Sequence, residues 1–294
     1  MTVPSDQLLR FWQHSHVHPK IFEKFDQYYE QWEQLAQFSD LTFIYSHSFD
    51  SDNHPHNIPR IPEVIHQVWL GKPMPKHYVE FCNSLKQLNP DFNYKLWSDS
   101  DLQGLKVVDS YLFKATNNYG IKSDLLRYEI LLNEGGWYFD CDFEAIRPLN
   151  NINTSKFNLI LSPIPEPFPF LANGFMACSP SHPFIRSLFD HLLSIDSLQD
   201  NIDDPNEVLN LTGPAKLTKH YYSLVKNLNT EETLVLPTNF MYALPGYLRL
   251  SNDKLKRTFS SSDSLALHHW GCSWISKPSL IHRVLAKIKR FTFA

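Results

Sequence analysis

Cysteine is scarce and scattered. Cys82, Cys141, Cys178 and Cys272 form no CxxC pair, which argues against a disulfide framework of the small secreted kind and for a reduced thiol state. No apolar run reaches membrane-spanning length, and the polar start MTVPSDQLLRFWQHSH lacks the order of a secretory signal. The expectation is a cytoplasmic protein, at most peripheral on the inner face of the cell membrane. Charge of neither sign is in excess: 27 basic against 31 acidic residues give −4, so no nucleic-acid partner is expected. Internal repeats and low-complexity blocks are missing too.

What is there is enough to build a sizeable core. Hydrophobic residues make up 43% of the 294 and charged residues 20%, the balance of a folded rather than a disordered chain. Fourteen histidines and 14% aromatics are high. Such rings stack on bases and sugars, although most aromatics fill cores.

Residues 6–38 carry Leu9, Phe11, Trp12, Phe22, Phe25, Tyr28, Tyr29, Trp32 and Leu35 at helical spacing. They predict two helices split near Pro19, an N-terminal helical appendage ending in the turn-rich linker 46–60. The first strand is expected at Val64–Leu70, a helix at 75–88, a second strand at Asn93–Trp97 and a helix start in SDSDL. Ile121–Asn133 reads as an amphipathic helix stopped by Gly135-Gly136, and Trp137–Asp142 as the strand that follows. Leu159–Leu161 and Thr233–Leu236 are further strands. PIPEPFPF (163–170) is a loop, and 180–228 holds at least two helices around a polar loop at Asn201–Glu207. Strands alternating with helices indicate an α/β fold, a mixed sheet with flanking helices.

The chemistry concentrates in GGWYFDCDFEAIRPL. Trp137, Tyr138 and Phe139 bury the strand, so Asp140 and Asp142 emerge at its carboxyl end, where α/β folds bind ligands. Two carboxylates so close repel each other unless a cation neutralises them. Hard oxygen ligands suit a divalent cation, and the cation suits a diphosphate. Asp124 and Arg127 share one helix face at i, i+3 spacing. Alone they read as an ordinary ion pair. Their helix runs into the acidic strand, so Asp124 could accept bonds from sugar or ribose hydroxyls and Arg127 could offset phosphate charge. Trp69 closes the first strand beside His66 and could stack on a base, though a lone Trp is more often core. In HHWGCSW (268–274) a late histidine can complete a carboxylate metal site, and strand alternation lets only one of His268 and His269 face inward.

In order, IPEVIHQVWLG, NPDFNYKLWSD, SDLLRYEILLNEGGWYFDCDFEAIRPL, TGP (212–214) and HHWGCSW resemble glycosyltransferase family 32, over roughly residues 60–275. These DXD-containing enzymes include the yeast initiating α-1,6-mannosyltransferase and bacterial capsule and lipopolysaccharide enzymes, with the glucosylating clostridial toxins as more distant relatives. The resemblance implies a GT-A-type, Rossmann-like fold, a nucleotide-sugar donor, Mn²⁺ or Mg²⁺, and retention of anomeric configuration. It assigns base stacking to Trp69 and donor contacts to Gln67, Asp124, Arg127, Tyr138 and Asp140. Asp140 and Asp142 hold the metal with His269 as the late ligand, Asn173 and Gly174 lie on the acceptor side, and Ser273 and Trp274 lie near the diphosphate. The catalytic domain so drawn is 59–276, preceded by an appendage and linker at 1–58. The acceptor is expected to be a glycan or lipid-linked glycan, and the donor a uridine sugar first, a guanosine sugar next.

Two other readings compete. A haloacid-dehalogenase-type phosphatase wants Thr or Val soon after the second acid, but the chain has Phe143-Glu144. A non-catalytic sugar-nucleotide-binding protein would keep the fold without the acids and arginine. The tail 277–294 sets Leu280, Ile281, Val284, Leu285 and Ile288 against Arg283, Lys287, Lys289 and Arg290. Membrane contact by this basic amphipathic segment and a solvated terminal helix fit it equally.

Overall fold

The computed structural model describes residues 5–15, 29–39, 61–151, 155–164, 169–197, 205–229, 232–244, 246, 260 and 263–271. The linker at 46–60, Pro19, Ser273, Trp274 and the tail 277–294 lie outside the described residues.

The elements in chain order are helices α1 (Asp6–Ser15) and α2 (Tyr29–Ala36), strand β1 (Val64–Val68), helix α3 (Lys76–Leu88) and strand β2 (Asn93–Trp97). Then come α4 (Tyr111–Ala115), α5 (Tyr119–Glu134), β3 (Gly136–Phe139), β4 (Phe143–Ala145), β5 (Leu159–Leu161) and β6 (Phe175–Cys178). Helices α6 (Pro183–Leu193), α7 (Pro205–Leu211) and α8 (Pro214–Leu224), strand β7 (Thr233–Val235), helix α9 (Thr238–Met241) and strand β8 (Ala266–His268) follow.

Six strands form one mixed sheet in the order β2-β1-β3-β6-β5-β7, and β4 pairs with β8 in a small antiparallel ribbon. β1 runs parallel to both β2 and β3, whereas β6 runs antiparallel to β3 and β5. This is the expected α/β arrangement of a mixed sheet between helices. Alternation along the strands feeds two cores. Ile65, Trp137, Phe139, Phe175, Ala177 and Ile160 pack on one face, and Val68, Tyr138, Met176, Cys178, Leu159 and Leu161 on the other.

The second core also takes up Leu8, Phe11, Trp32, Leu35 and Phe38, so α1 and α2 pack into it with Tyr221. Phe38 meets Tyr221 edge-on at 5.9 Å, its carbonyl accepts the Val235 amide, and the Ser15 carbonyl accepts the Thr238 hydroxyl.

Two expectations shift. Helix α5 is central rather than amphipathic: every residue from Asp124 to Leu132 is buried, including Arg127 and Glu129. The carboxylate of Glu129 accepts the backbone amides of Lys106 and Val107 at 2.7 and 2.8 Å, which satisfies its charge inside the protein. Second, the polar stretch ending at Glu207 is partly helical, because Pro205 can open a helix and Val208 supplies a buried contact.

The α5–β3 junction sets the site. Asn118 caps the start of α5 by accepting the Gly120 amide. Gly135 ends it at φ +66°, and Gly136 follows at φ +91° with Val64 so close that an added Cβ would lie 2.5 Å from Cγ1. Only glycine lets the chain reverse there and enter β3 alongside β1.

Candidate metal centre and donor cleft

β3 is wholly buried and ends at Phe139, and the Asp140 amide still bonds the Gly174 carbonyl at 2.8 Å. The chain then turns tightly, with the Phe143 amide on the Asp140 carbonyl, so Asp140 and Asp142 flank the turn while the Cys141 thiol bonds inward to the Val68 carbonyl.

Asp140 is held from behind. Its Oδ1 accepts Arg127 Nη2 at 2.8 Å and the Tyr138 hydroxyl at 3.0 Å, and its side chain is 31% exposed. The guanidinium lies over the Tyr138 ring at 4.7 Å. Arg127 Nη1 pairs ionically with Asp124 Oδ1 and donates to the Asn173 carbonyl, both at 2.9 Å. Asp124 also accepts Asn173 Nδ2 at 2.9 Å and the Thr212 hydroxyl at 2.8 Å. Burial pushes both carboxyls up, against the pull of Arg127: Asp124 rises, and Asp140 rises to about 6 with the charge of Asp142 adding to it.

Asp142 is held from in front, by the late chain. Pairing of β4 with β8 sets His268 opposite Phe143, which places His268 Nε2 3.1 Å from Asp142 Oδ1 without hydrogen-bond geometry. The Gly271 amide bonds Asp142 Oδ2 at 2.7 Å, and the His269 amide bonds the Asp142 carbonyl. Burial opposes the charge on Asp142, but His268 and the Gly271 amide outweigh it, and the carboxyl titrates below its usual range. Asp142 Oδ1 and His268 Nδ1 are buried with no hydrogen-bond partner. Asp140, Asp142 and His268 offer donor atoms all within 4.8 Å of one another. Two carboxylates, one imidazole and an orphaned buried oxygen fit a divalent cation of the Mn²⁺ kind.

Of the two late histidines it is His268, not the expected His269, whose ring stands with Asp140 and Asp142. The reason is alternation: successive residues of β8 point to opposite sides. The His269 ring bonds Glu144 at 2.9 Å and stacks on Phe81 with centroids 4.1 Å apart.

The other expected residues divide. Trp69 is partly exposed beyond β1, its indole N–H on the Lys72 carbonyl and its ring 5.1 Å from Tyr78. Gln67 is fully buried, donating to the Asp140 carbonyl at 3.2 Å and accepting the Tyr94 hydroxyl at 2.6 Å, so it braces the acidic turn. Tyr138, Asp124, Asn173 and both Nη atoms of Arg127 are likewise spent on protein groups around Asp140. Gly174 touches the site through its missing side chain: a Cβ there would lie 2.7 Å from Asp140 Oδ2. Thr212, Gly271 and Tyr242 were not assigned roles from the sequence. Tyr242 meets His268 edge-on at 5.3 Å, and its buried hydroxyl has no hydrogen-bond partner; the Phe175 main chain lies beside it without hydrogen-bond geometry.

A mixed α/β sheet with an Asp-x-Asp at the end of a central buried strand, and a late histidine beside it, is the arrangement that the resemblance to DXD-containing transferases implies. Residues 75–158 match the family model described as the glycosyltransferase sugar-binding region containing the DXD motif, in line with the resemblance to glycosyltransferase family 32. The chain is 30% identical over 159 residues to inositol phosphoceramide mannosyltransferase 1 of Schizosaccharomyces pombe, covering 52% of this chain and 49% of the relative. It thus spans about half the length of that relative. A glycosyltransferase of Acanthamoeba polyphaga mimivirus is 24% identical over 226 residues, 73% of this chain and 84% of the other. The solved PaToxG glycosyltransferase is similar with a TM-score of 0.47 at 20% identity, covering 76% of this chain and 82% of that one.

Proposed function

We propose that this chain is a metal-dependent, retaining glycosyltransferase that moves a hexose from a nucleotide-diphosphate sugar to a glycan or glycolipid acceptor. The observation that carries the reading is the convergence of Asp140, Asp142 and His268 with an unpartnered Asp142 Oδ1 at the end of β3. When bound there, a divalent cation supplies positive charge against the departing diphosphate.

The protein's own groups keep that centre in shape before any ligand arrives. Arg127 and Tyr138 fix Asp140 through Oδ1, and its Oδ2 lies against Gly174. The Gly271 amide fixes Asp142 through Oδ2, which leaves Oδ1 facing His268. Preorganised donors of this sort cost no reorganisation during reaction. Among the described residues no carboxylate other than this set stands out as a nucleophile, so retention is proposed to proceed by front-face attack, with the leaving phosphate oxygen taking the acceptor's proton.

A uridine donor is the first choice and a guanosine donor the next. The fission-yeast relative is an inositol phosphoceramide mannosyltransferase by name, which supports a lipid-linked acceptor and brings GDP-mannose into the test panel. Synthesis of a surface glycan at the inner face of a membrane is the proposed setting, and residues 277–294 are the segment to delete in a vesicle-pelleting assay of membrane contact.

The deciding experiment is hydrolysis of UDP-glucose, UDP-galactose and GDP-mannose with and without Mn²⁺. Activity is expected with one donor, lost on chelation and abolished in Asp142→Ala while the melting temperature is kept. Full turnover by Asp142→Ala refutes the reading.

A further inference from the structure

Strand β1 pairs with β2 from Val64 to Val68, but its register with β3 covers only Ile65↔Trp137 and His66↔Tyr138. Beyond that point a side chain joins the two strands. Gln67, the next residue of β1, is fully buried and sends Nε2 to the Asp140 carbonyl at 3.2 Å. The same carbonyl accepts the Phe143 amide at 3.1 Å, the bond that closes the acidic turn. A buried carboxamide thus extends the sheet where the backbone ladder stops, at the residue that carries the first acid.

That carboxamide is itself held. Ile65 lies opposite Tyr94, so strand alternation puts Tyr94, Ile65 and Gln67 on one face of the sheet. The Tyr94 hydroxyl donates to Gln67 Oε1 at 2.6 Å. Chemistry fixes the direction of both bonds. The Asp140 carbonyl can only accept, so Nε2 must face it, and Oε1 is left to accept the phenol's proton. Without the phenol, Oε1 becomes a buried acceptor lacking its donor, and the carboxamide gains by turning away from Asp140. Among the described residues, neither Tyr94 nor Gln67 bonds a carboxylate oxygen of the centre.

We propose that Tyr94 and Gln67 are positioning residues for the cation: through the Asp140 carbonyl they hold the acidic turn where Asp140, Asp142 and His268 converge. This rests on the metal-dependent reading above and deepens it by extending the centre to a phenol on the outer strand of the sheet. Partners beyond the ligands themselves tune a metal site because they fix where its donor atoms stand.

The test is Mn²⁺ binding to the full chain by calorimetric titration, for wild type, Tyr94→Phe, Gln67→Met and the double variant, with thermal unfolding of each in the absence of metal. Gln67→Met keeps the volume and loses the amide; it is expected to bind Mn²⁺ roughly tenfold more weakly, and Tyr94→Phe about threefold. Adding Tyr94→Phe to Gln67→Met should weaken binding no further, since the phenol acts through the amide. A merely structural brace would lower the melting temperature and leave the Mn²⁺ affinity of the folded protein as in wild type. That outcome overturns the inference, and so does additive weakening in the double variant. Should Gln67→Met fail to fold, Tyr94→Phe decides alone, and wild-type affinity in it counts against the inference. Failure of wild type to bind Mn²⁺, or wild-type binding by Asp142→Ala, overturns the metal-dependent reading and the inference with it.

Discussion

Arg127 shows how much of this site is built from single residues holding one another. Its side chain is 4% exposed, touches two carboxylates and covers Tyr138. Removing one member of such a buried set leaves uncompensated charge rather than a missing attraction. Arg127→Met is therefore expected to destabilise the fold by about 3–5 kcal/mol at neutral pH, read by urea unfolding, and the double variant Arg127→Met/Asp124→Asn to recover part of that loss. A loss below about 1 kcal/mol, the range of exposed pairs, sinks this account of Arg127. The sequence made the pair visible through its helical spacing, and the aspartates through the aromatic strand before them. It could not show that Thr212 completes Asp124 from 88 residues away, nor that Tyr242 faces Gly174, because a lone hydroxyl carries no pattern and the contact exists only after folding. The choice between His268 and His269 turned on which one β8 points inward, a register that two adjacent histidines do not reveal.

At the scale of elements, the turn from α5 into β3 is where local chain geometry becomes site geometry. Gly136 and Gly104 share nearly the same backbone angle, φ +91° and +89°, but Gly104 has no atom within 4 Å of an added Cβ. Gly104→Ala is expected to cost about 1–2 kcal/mol for the left-handed conformation alone. Gly136→Ala should cost a further 1–3 kcal/mol or so from collision with Val64 and should weaken metal binding by shifting β3. Paired thermal unfolding of the two variants measures the difference, and equal costs would mean that Val64 gives way freely. The strong elements were legible: α3, α5, β1 and β2 lie where periodicity and β-branched runs put them. β6 was not, since Phe175–Cys178 is a short run buried on both faces and shows no alternation. The helix at Pro205–Leu211 was hidden by its polar composition.

Across the whole molecule, two buried histidines tie stability to pH. His66 accepts the Trp97 indole N–H at Nδ1 and faces the Gly135 carbonyl with Nε2, so its neutral ring fits as the Nε2–H tautomer. His182 repeats the pattern, accepting the Phe184 amide at Nδ1 with Nε2 on Asn158 Oδ1. Burial pushes both down to about 4, from 6.5 in the unfolded chain. A folded value below the unfolded one leaves stability intact above pH 6.5, and lets it fall as pH drops toward 4, because only the unfolded chain takes up the protons. The loss is on the order of 3 kcal/mol for each histidine. Stability read by urea unfolding should decline from pH 7 towards 4, offset in part below pH 6 by proton uptake at folded Asp140, and His66→Gln should flatten the decline by about one proton. An unchanged pH dependence in His66→Gln would show that this ring accepts a proton in the folded state.

Asp142 takes its amide bond from Gly271, 129 residues further on, and its imidazole neighbour from β8. The ribosome thus delivers both acids well before the strand that completes them. A nascent chain halted short of residue 266 already contains the sheet's strands through β7 and the bracing arginine, but β4 has no partner and Asp142 has neither histidine nor amide. On the proposed reading, a chain halted before residue 266 therefore holds both acids but lacks the imidazole and the amide that fix Asp142.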